Sequence, residues 1–229
     1  FPFDRRMGDY LRATGRAEVA TLAAQNAAQL TADAEVLADP AKYYDEIVEI
    51  DLSKLEPYVV GPHTPDLARP VSRLADDVES KGYPPMLTAA LIGSCTNSSY
   101  EDIGRAAHVA RQAKAKGLKA RTPLLVTPGS EQVRATIERD GLLADLEAIG
   151  ATVLANACGP CIGQWERSDI AKGEKNSILT SYNRNFPRRN DGNANTHAFI
   201  ASPEVVIAYA LAGRLDTDPV HGGVQLDGA

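Results

Sequence analysis

The three cysteines of this 229-residue chain are the residues whose type and spacing most clearly suggest chemistry. Cys158 and Cys161 form a Cys-x-x-Cys turn, and the Gly-Pro between them allows a tight turn in which both sulfurs face one centre. Cys95 lies much earlier in the chain, but it too follows a predicted strand. Three thiolates suit a soft-metal site such as an iron–sulfur cluster.

The number of thiols separates several kinds of site. A closed structural zinc site needs four protein ligands, and the sequence has no second Cys-x-x-Cys pair. A four-iron cluster held by three cysteines leaves one iron without a protein thiolate, and that iron can bind water or substrate as a Lewis acid. On the residues alone, a zinc site, a thioredoxin-like redox pair and a buried structural role for Cys95 remain alternatives.

A second polar turn follows another predicted strand, residues 177–180. It carries Arg184, Arg188 and Arg189 within six positions, next to Asn183. The planar guanidinium group binds carboxylates through paired hydrogen bonds, so this turn suits an acid with several carboxylates. A solvent-exposed basic loop without a ligand is the alternative interpretation.

The composition is that of an ordinary soluble globular protein, with 44% hydrophobic and 24% charged residues. The formal net charge of −6 argues against a general affinity for nucleic acid, which needs a basic surface. No apolar run approaches the roughly 20 residues that cross a membrane, so we expect no membrane partner. The odd number of cysteines and the lack of a signal-like N-terminus favour a reducing compartment. Because the sequence begins Phe1-Pro2-Phe3 without Met, we expect an internal piece of a longer protein.

The first part of the chain is typical of an α+β fragment. Residues 4–30 have a helical pattern interrupted at Gly15, and residues 45–52 predict a short strand. Residues 57–70 contain several prolines, which prevent regular structure, and we interpret this segment as a linker between domains. After it, the pattern predicts a helix over residues 71–81.

From residue 87 the pattern changes to repeated strand–turn–helix units, which predicts an α/β domain with a parallel-rich sheet flanked by helices. The predicted strands are residues 87–92, 124–127, 151–154 and 177–180, and the predicted helices begin after Ser99, Ser130, Gly141 and Ser202. In such sheets ligands bind outside the carboxyl ends of the strands. We therefore expect the cysteine turns and the arginine turn to converge.

Four segments of the sequence together closely resemble the aconitase family, in its mitochondrial type. They are residues 91–102, 127–130, 155–165 and 181–186, and the likeness extends from Phe1 to about Gly213. The related isopropylmalate isomerases and homoaconitases share the cysteine turns and remain an alternative. The flanking sequences Asn-Ala-Cys-Gly-Pro-Cys-Ile-Gly-Gln-Trp and Ser-Tyr-Asn-Arg-Asn-Phe favour aconitase.

The resemblance implies a cofactor, a substrate and a reaction. The cofactor is a 4Fe–4S cluster whose one open iron binds a hydroxyl and a carboxylate of citrate or isocitrate. The reaction is the reversible isomerisation of citrate to isocitrate through cis-aconitate, by dehydration and rehydration. The implied cluster ligands are Cys95, Cys158 and Cys161, and the implied substrate-binding residues are Asn183, Arg184 and Arg189. Arg188 matches no residue with such a role in the family.

The resemblance also implies that this chain holds only part of an active site. In aconitases a serine acts as the base, and His, Asp and Glu residues handle the leaving hydroxyl; their segments lie outside this sequence, so we expect the isolated chain to be inactive. The expected organisation is residues 1–56 as the end of a preceding α/β domain, 57–70 as a linker, 71–215 as the cluster-bearing domain and 216–229 as a tail.

The implied partners are the tricarboxylates citrate, cis-aconitate and isocitrate, together with the remaining domains of the parent enzyme. The expected compartment is the cytoplasm or the mitochondrial matrix. Aconitase-like proteins that lose the cluster can bind RNA, which gives a non-enzymatic alternative. The acidic net charge disfavours that alternative.

Overall fold

The computed structural model describes residues 2–224 and divides into two compact units, Phe1–Leu55 and Glu56–Ala229. None of the helices within the described residues combines the length and the apolar character needed to cross a membrane.

The first unit is helical. Its α-helices are α1 (Arg5–Ala13), α2 (Ala17–Gln25) and α3 (Ala34–Ala38), with short 3-10 helices at Ala27–Leu30 and Pro40–Lys42. Helix α1 begins where the Asp4 side chain accepts a hydrogen bond from the backbone N–H of Met7, and the break at Gly15 is as predicted. The prediction of a strand over residues 45–52 was wrong. Within the described part of this unit, no neighbouring strand supplies the hydrogen bonds that a strand requires.

The second unit contains a seven-stranded sheet, counted over the described residues, in the order β2-β1-β7-β6-β3-β4-β5. The strands are β1 (Tyr58–Val60), β2 (Ala68–Pro70), β3 (Leu87–Gly93), β4 (Leu124–Thr127), β5 (Ala151–Val153), β6 (Asn176–Thr180) and β7 (Thr196–Ile200). Strands β7, β6, β3, β4 and β5 are parallel, and β1 is antiparallel to both of its neighbours. The prediction of a parallel-rich α/β domain is confirmed.

Helices cover the sheet. They are α4 (Leu74–Lys81), α5 (Tyr100–Ala115), α6 (Glu131–Arg139), α7 (Leu142–Ala148) and α8 (Pro203–Ala212). Ser99 and Asp102 form the capping box that begins α5, and the Ser130 side chain begins α6 by accepting from the N–H of Val133. Ser202 precedes α8 as predicted, although its side chain makes no capping hydrogen bond.

The central strand β3 is buried on both faces. Ala90 and Ile92 belong to the larger core, which the helices cover, whereas Ala89 and Leu91 face a smaller core on the other side. Cys161 is part of that smaller core. This double burial explains why residues 87–92 form a nearly unbroken apolar run.

Three strands were not predicted from the sequence. Strands β1 and β2 lie within residues 57–70, the segment that we interpreted as a linker, and β7 lies beyond the arginine turn. Short strands near the edge of a sheet tolerate the prolines that suggested irregular structure. The segment predicted as a tail, residues 216–229, is described as far as residue 224, and residues 225–229 lie outside the described residues. Within the described part, the Thr217 carbonyl accepts a hydrogen bond from the Tyr209 hydroxyl at 3.1 Å.

The order of the strands defines where a ligand can bind. From β3 the chain proceeds outward through β4 to β5, and it then returns to the other side of β3 to form β6 and β7. The direction of winding therefore reverses between β3 and β6. Open α/β sheets bind ligands at the carboxyl ends of the strands beside such a reversal.

Candidate functional site

The turns after β3 and β6 meet at this reversal and are joined by three hydrogen bonds. The N–H of Gly93 donates to Ser181 Oγ at 3.0 Å, and Asn97 Nδ2 donates to the carbonyl of Ser181 at 2.9 Å. Asn183 Nδ2 donates to Thr96 Oγ1 at 3.4 Å. The turn that carries Cys95 is thereby held against the turn that carries the arginines.

The turns after β3 and β4 approach so closely that glycine is required. A Cβ on Gly93 would lie 1.9 Å from Thr127 O, and Gly93 has a φ of 123°, a conformation that other residues rarely adopt. The N–H of Ser94 donates to Thr127 O at 3.2 Å. A Cβ on Gly129 would lie 2.9 Å from Ser98 Oγ.

The Cys-x-x-Cys turn after β5 contains a 3-10 helix, Gly159–Ile162, in which the N–H of Cys161 donates to the carbonyl of Cys158 at 2.7 Å. On one side Asn156 Nδ2 donates to Glu131 Oε1 at 2.6 Å. On the other side Asn190 Nδ2 donates to the carbonyl of Pro160 at 3.0 Å.

These contacts close a ring of four turns, which follow β3, β4, β5 and β6. Glu131 is the first residue of α6, directly after the β4 turn, and Asn190 belongs to the β6 turn. The cysteine turns and the arginine turn therefore lie at one edge of the sheet. No role was assigned from the sequence to Glu131, Asn156 or Asn190, because an isolated polar residue in a loop or at the start of a helix gives no signal of the partner that it will contact.

The three cysteines are free thiols with different surroundings. Cys95 and Cys158 are exposed and line one cavity of about 110 Å³ together with Ser94, Gly129 and Asn156. Cys161 does not line that cavity; it is 6% exposed and packs with Leu91, Ile178 and Tyr182. Within residues 2–224 no three His, Cys, Asp or Glu side chains form a group arranged to hold a metal ion.

The donor set nevertheless has the chemistry of a soft-metal site. The hydroxyls of Ser94 and Thr96 each lie 3.9 Å from Cys95 Sγ, and these contacts lower the pKa of Cys95, Ser94 having the larger effect. Burial, and then the neighbouring Cys161, raises the pKa of Tyr182, which stays a neutral phenol. An exposed thiol with a lowered pKa beside a second exposed thiol suits a metal that prefers thiolate ligands.

The arginine turn presents two different guanidinium groups. Arg184 is exposed, and its Nη1 donates to the carbonyl of Asn183 at 2.9 Å. Arg189 is half-buried, and its Nε is buried without a hydrogen-bond partner among the described residues. A buried cationic donor without a partner is unfavourable unless an anion pairs with it, so Arg189 suits a carboxylate ligand. Arg188 is exposed and has a φ of 66°.

The fold and the site define an open α/β protein whose thiols and guanidinium groups meet at the carboxyl edge of a parallel sheet. The model of the aconitase family (aconitate hydratase) matches residues 1–213, and the chain belongs to that family.

Curated relatives agree with this assignment. The chain is 56% identical over 230 residues to the mitochondrial aconitate hydratase of Gracilaria gracilis, and this alignment covers 100% of the chain and 29% of that protein. It is 56% identical over 220 residues to the mitochondrial aconitate hydratase of Saccharomyces cerevisiae and to a probable mitochondrial aconitate hydratase of Caenorhabditis elegans, in each case over 96% of the chain and 28% of the relative. The chain thus spans less than a third of the length of these relatives.

Proposed function

We propose that this chain is the part of an aconitate hydratase that binds the iron–sulfur cluster and two of the substrate's carboxylates. The reaction is the reversible isomerisation of citrate to isocitrate through cis-aconitate. The observation that carries the proposal is the ring of four turns, which joins the cysteine turns to the half-buried Arg189 at one edge of the sheet. The Nε of Arg189 has no hydrogen-bond partner within residues 2–224. Membership of the aconitase family supports it.

Cys95, Cys158 and Cys161 are the proposed ligands of a 4Fe–4S cluster. They suit this cofactor because they are free thiols on adjoining turns, and because the Ser94 and Thr96 hydroxyls favour the thiolate form of Cys95. When bound, a cluster with three protein thiolates supplies one Lewis-acidic iron that can polarise substrate oxygens. Homoaconitases and isopropylmalate isomerases are the alternative members of the wider group.

Asn183, Arg184 and Arg189 are the proposed substrate-binding residues. Removing a proton next to a carboxylate builds negative charge on the substrate, and guanidinium groups fixed beside that carboxylate stabilise the charge. Arg189 can form a charge-assisted hydrogen bond through the Nε that has no partner among the described residues. Asn183, which reaches the Cys95 turn through Thr96, would bring an amide to the boundary between the cluster and the carboxylates.

The catalytic base and the groups that handle the leaving hydroxyl are proposed to come from the remaining domains of the parent enzyme. No residue of this chain is assigned either role. The mitochondrial relatives make the mitochondrial matrix the proposed compartment.

Reconstitution tests this proposal. The purified chain is incubated without oxygen with Fe²⁺ and sulfide, and its iron, sulfide and visible absorbance are then measured. We expect about four iron and four sulfide per chain, and loss of both in Cys158→Ser while the circular dichroism of the sheet is unchanged. Stoichiometric zinc without iron or sulfide in the chain as purified, or retained cluster absorbance in Cys158→Ser, would contradict the proposal.

A further inference from the structure

Asn190 joins the arginine turn to the middle of the Cys-x-x-Cys turn. Its side chain is 2% exposed, and its Nδ2 donates to the carbonyl of Pro160 at 3.0 Å. Pro160 lies between Cys158 and Cys161, so this hydrogen bond acts on the peptide segment that separates the two thiols. Asn190 directly follows Arg189 in the chain.

A backbone contact supports the same junction. Gly163 ends the 3-10 helix of the cysteine turn with a φ of 84°, and a Cβ at this position would lie 3.2 Å from Arg189 O. The chain around Arg189 and Asn190 therefore contacts the thiol turn at Pro160 and again at Gly163. Two contacts restrict the turn more than one would, because the segment between them cannot pivot about a single point.

The two polar atoms of the Asn190 amide have different surroundings. Asn190 Oδ1 is buried without a hydrogen-bond partner among the described residues. A buried acceptor without a partner is unfavourable, and an apolar side chain of similar shape would avoid that penalty but would leave the Pro160 carbonyl without the Asn190 donor. What asparagine adds is the hydrogen bond to the thiol turn.

We propose that Asn190 is a positioning residue, which fixes the Cys158–Cys161 turn against the arginine turn. It keeps the Cys161 thiol buried and fixes its position relative to Arg189. The inference rests on the proposed function for its purpose, namely the alignment of cluster ligands with a carboxylate-binding arginine. The hydrogen bond and the close approach on which it depends involve only residues of this chain.

Alkylation of the cluster-free chain by iodoacetamide tests the inference directly. The rate at Cys161, which is buried, is measured by mass spectrometry relative to the rate at the exposed Cys95 in the same molecules. Asn190→Leu keeps the branched shape and removes the donor, and Asn190→Ala is the second variant. We expect both to raise the relative rate at Cys161 about fivefold, the effect of one lost hydrogen bond on local opening.

Asn195→Ala is the control for loss of a side-chain-to-backbone hydrogen bond at an exposed asparagine elsewhere in the chain. Asn195 Nδ2 also donates to a backbone carbonyl, that of Gly173 at 2.6 Å, but this contact is outside the ring of turns. We expect the control to leave the Cys161 rate unchanged. Urea unfolding identifies the folded variants, and the test is made on those. An unchanged Cys161 rate in a folded Asn190 variant, or an equal increase in Asn195→Ala, would overturn the positioning role.

The reconstituted chain provides the second measurement. We expect iron transfer to a chelator to be several-fold faster from Asn190→Leu than from the parent chain or Asn195→Ala, and equal rates would count against the inference. If the parent chain takes up no iron and sulfide, the proposed function fails. The alkylation result still decides the role of Asn190 in that case, so the two failures are distinguishable.

Discussion

Asn97 donates a hydrogen bond from Nδ2 to the backbone carbonyl of Ser181 at 2.9 Å, across the point where the winding of the sheet reverses. Asn97 has a φ of 53°, in the left-handed region that asparagine tolerates better than most residues. The same residue therefore turns the chain after Cys95 and ties that turn to the segment leading to Asn183 and Arg184. Asparagine suits this position because it tolerates the left-handed backbone conformation and because its side chain donates the hydrogen bond.

Asn97→Ala is predicted to lower the free energy of unfolding by about 1–3 kcal/mol, because it loses the hydrogen bond and places alanine in the left-handed region. Urea unfolding measures this change. Asn97→Gly separates the two causes, since glycine accepts the conformation but also lacks the amide. We expect the glycine variant to be more stable than the alanine variant and less stable than the parent chain; two variants of equal stability would mean that backbone strain has no part in the effect.

Gly93→Ala is predicted to be severely destabilising. The new Cβ would lie 1.9 Å from Thr127 O, and both groups belong to the backbone of two paired strands, so neither can move cheaply. We expect a loss of at least about 3 kcal/mol or failure to fold, measured by urea unfolding and by the yield of soluble protein.

Gly150→Ala is the control for that substitution. Gly150 also has a positive φ, 101°, but no atom lies within 4 Å of the position that its Cβ would take. We expect a loss of about 1–2 kcal/mol from the backbone conformation alone. If the two substitutions had equal effects, the close approach to Thr127 would be irrelevant to stability.

Much of this arrangement follows from local sequence. The apolar run of β3 indicates a strand buried on both faces, and the Ser99–Asp102 pair indicates the start of α5, because both patterns depend on residues close together in the chain. The resemblance to aconitases supplied the site residues that spacing alone left open. Strand β7 was missed because its identity depends on pairing with β6 and β1.

The same physical reason explains the strand that was predicted and does not form. Residues 45–52 have the composition of a strand, but a strand exists only where another strand meets it. The contact between Asn190 and Pro160 likewise depends on how two turns pack, and no pattern in either segment predicts it. Pairing between segments that are distant in the chain is the part of the fold and of the site that is hardest to predict from one sequence.

The pH dependence of Cys95 alkylation is predicted to reflect its hydroxyl neighbours. Ser94, and then Thr96, lowers the pKa of Cys95, so at a given pH more of this thiol is ionised than of an ordinary cysteine. Ser94→Gly removes the stronger neighbour and suits the φ of 68° at this position. We expect the alkylation profile of Cys95 in the cluster-free chain to move to higher pH in this variant.

The exposed thiol of Cys158 in the same molecules is the internal reference for that experiment. Its profile should be the same in the parent chain and in Ser94→Gly. An unchanged Cys95 profile, or an equal shift at both thiols, would show that the Ser94 hydroxyl does not stabilise the Cys95 thiolate.

Arg189→Lys is predicted to weaken binding of citrate to the reconstituted chain by about tenfold, measured by equilibrium dialysis. Lysine keeps the positive charge but lacks the planar fork, and it cannot replace the buried Nε that has no partner among the described residues. Arg188→Lys is the matched control, because this neighbouring side chain is exposed and its residue is outside the proposed site. We expect Arg188→Lys to bind citrate as the parent chain does. Equal weakening in the two variants would mean that citrate binding depends on the overall positive charge of the turn and not on the half-buried guanidinium group of Arg189.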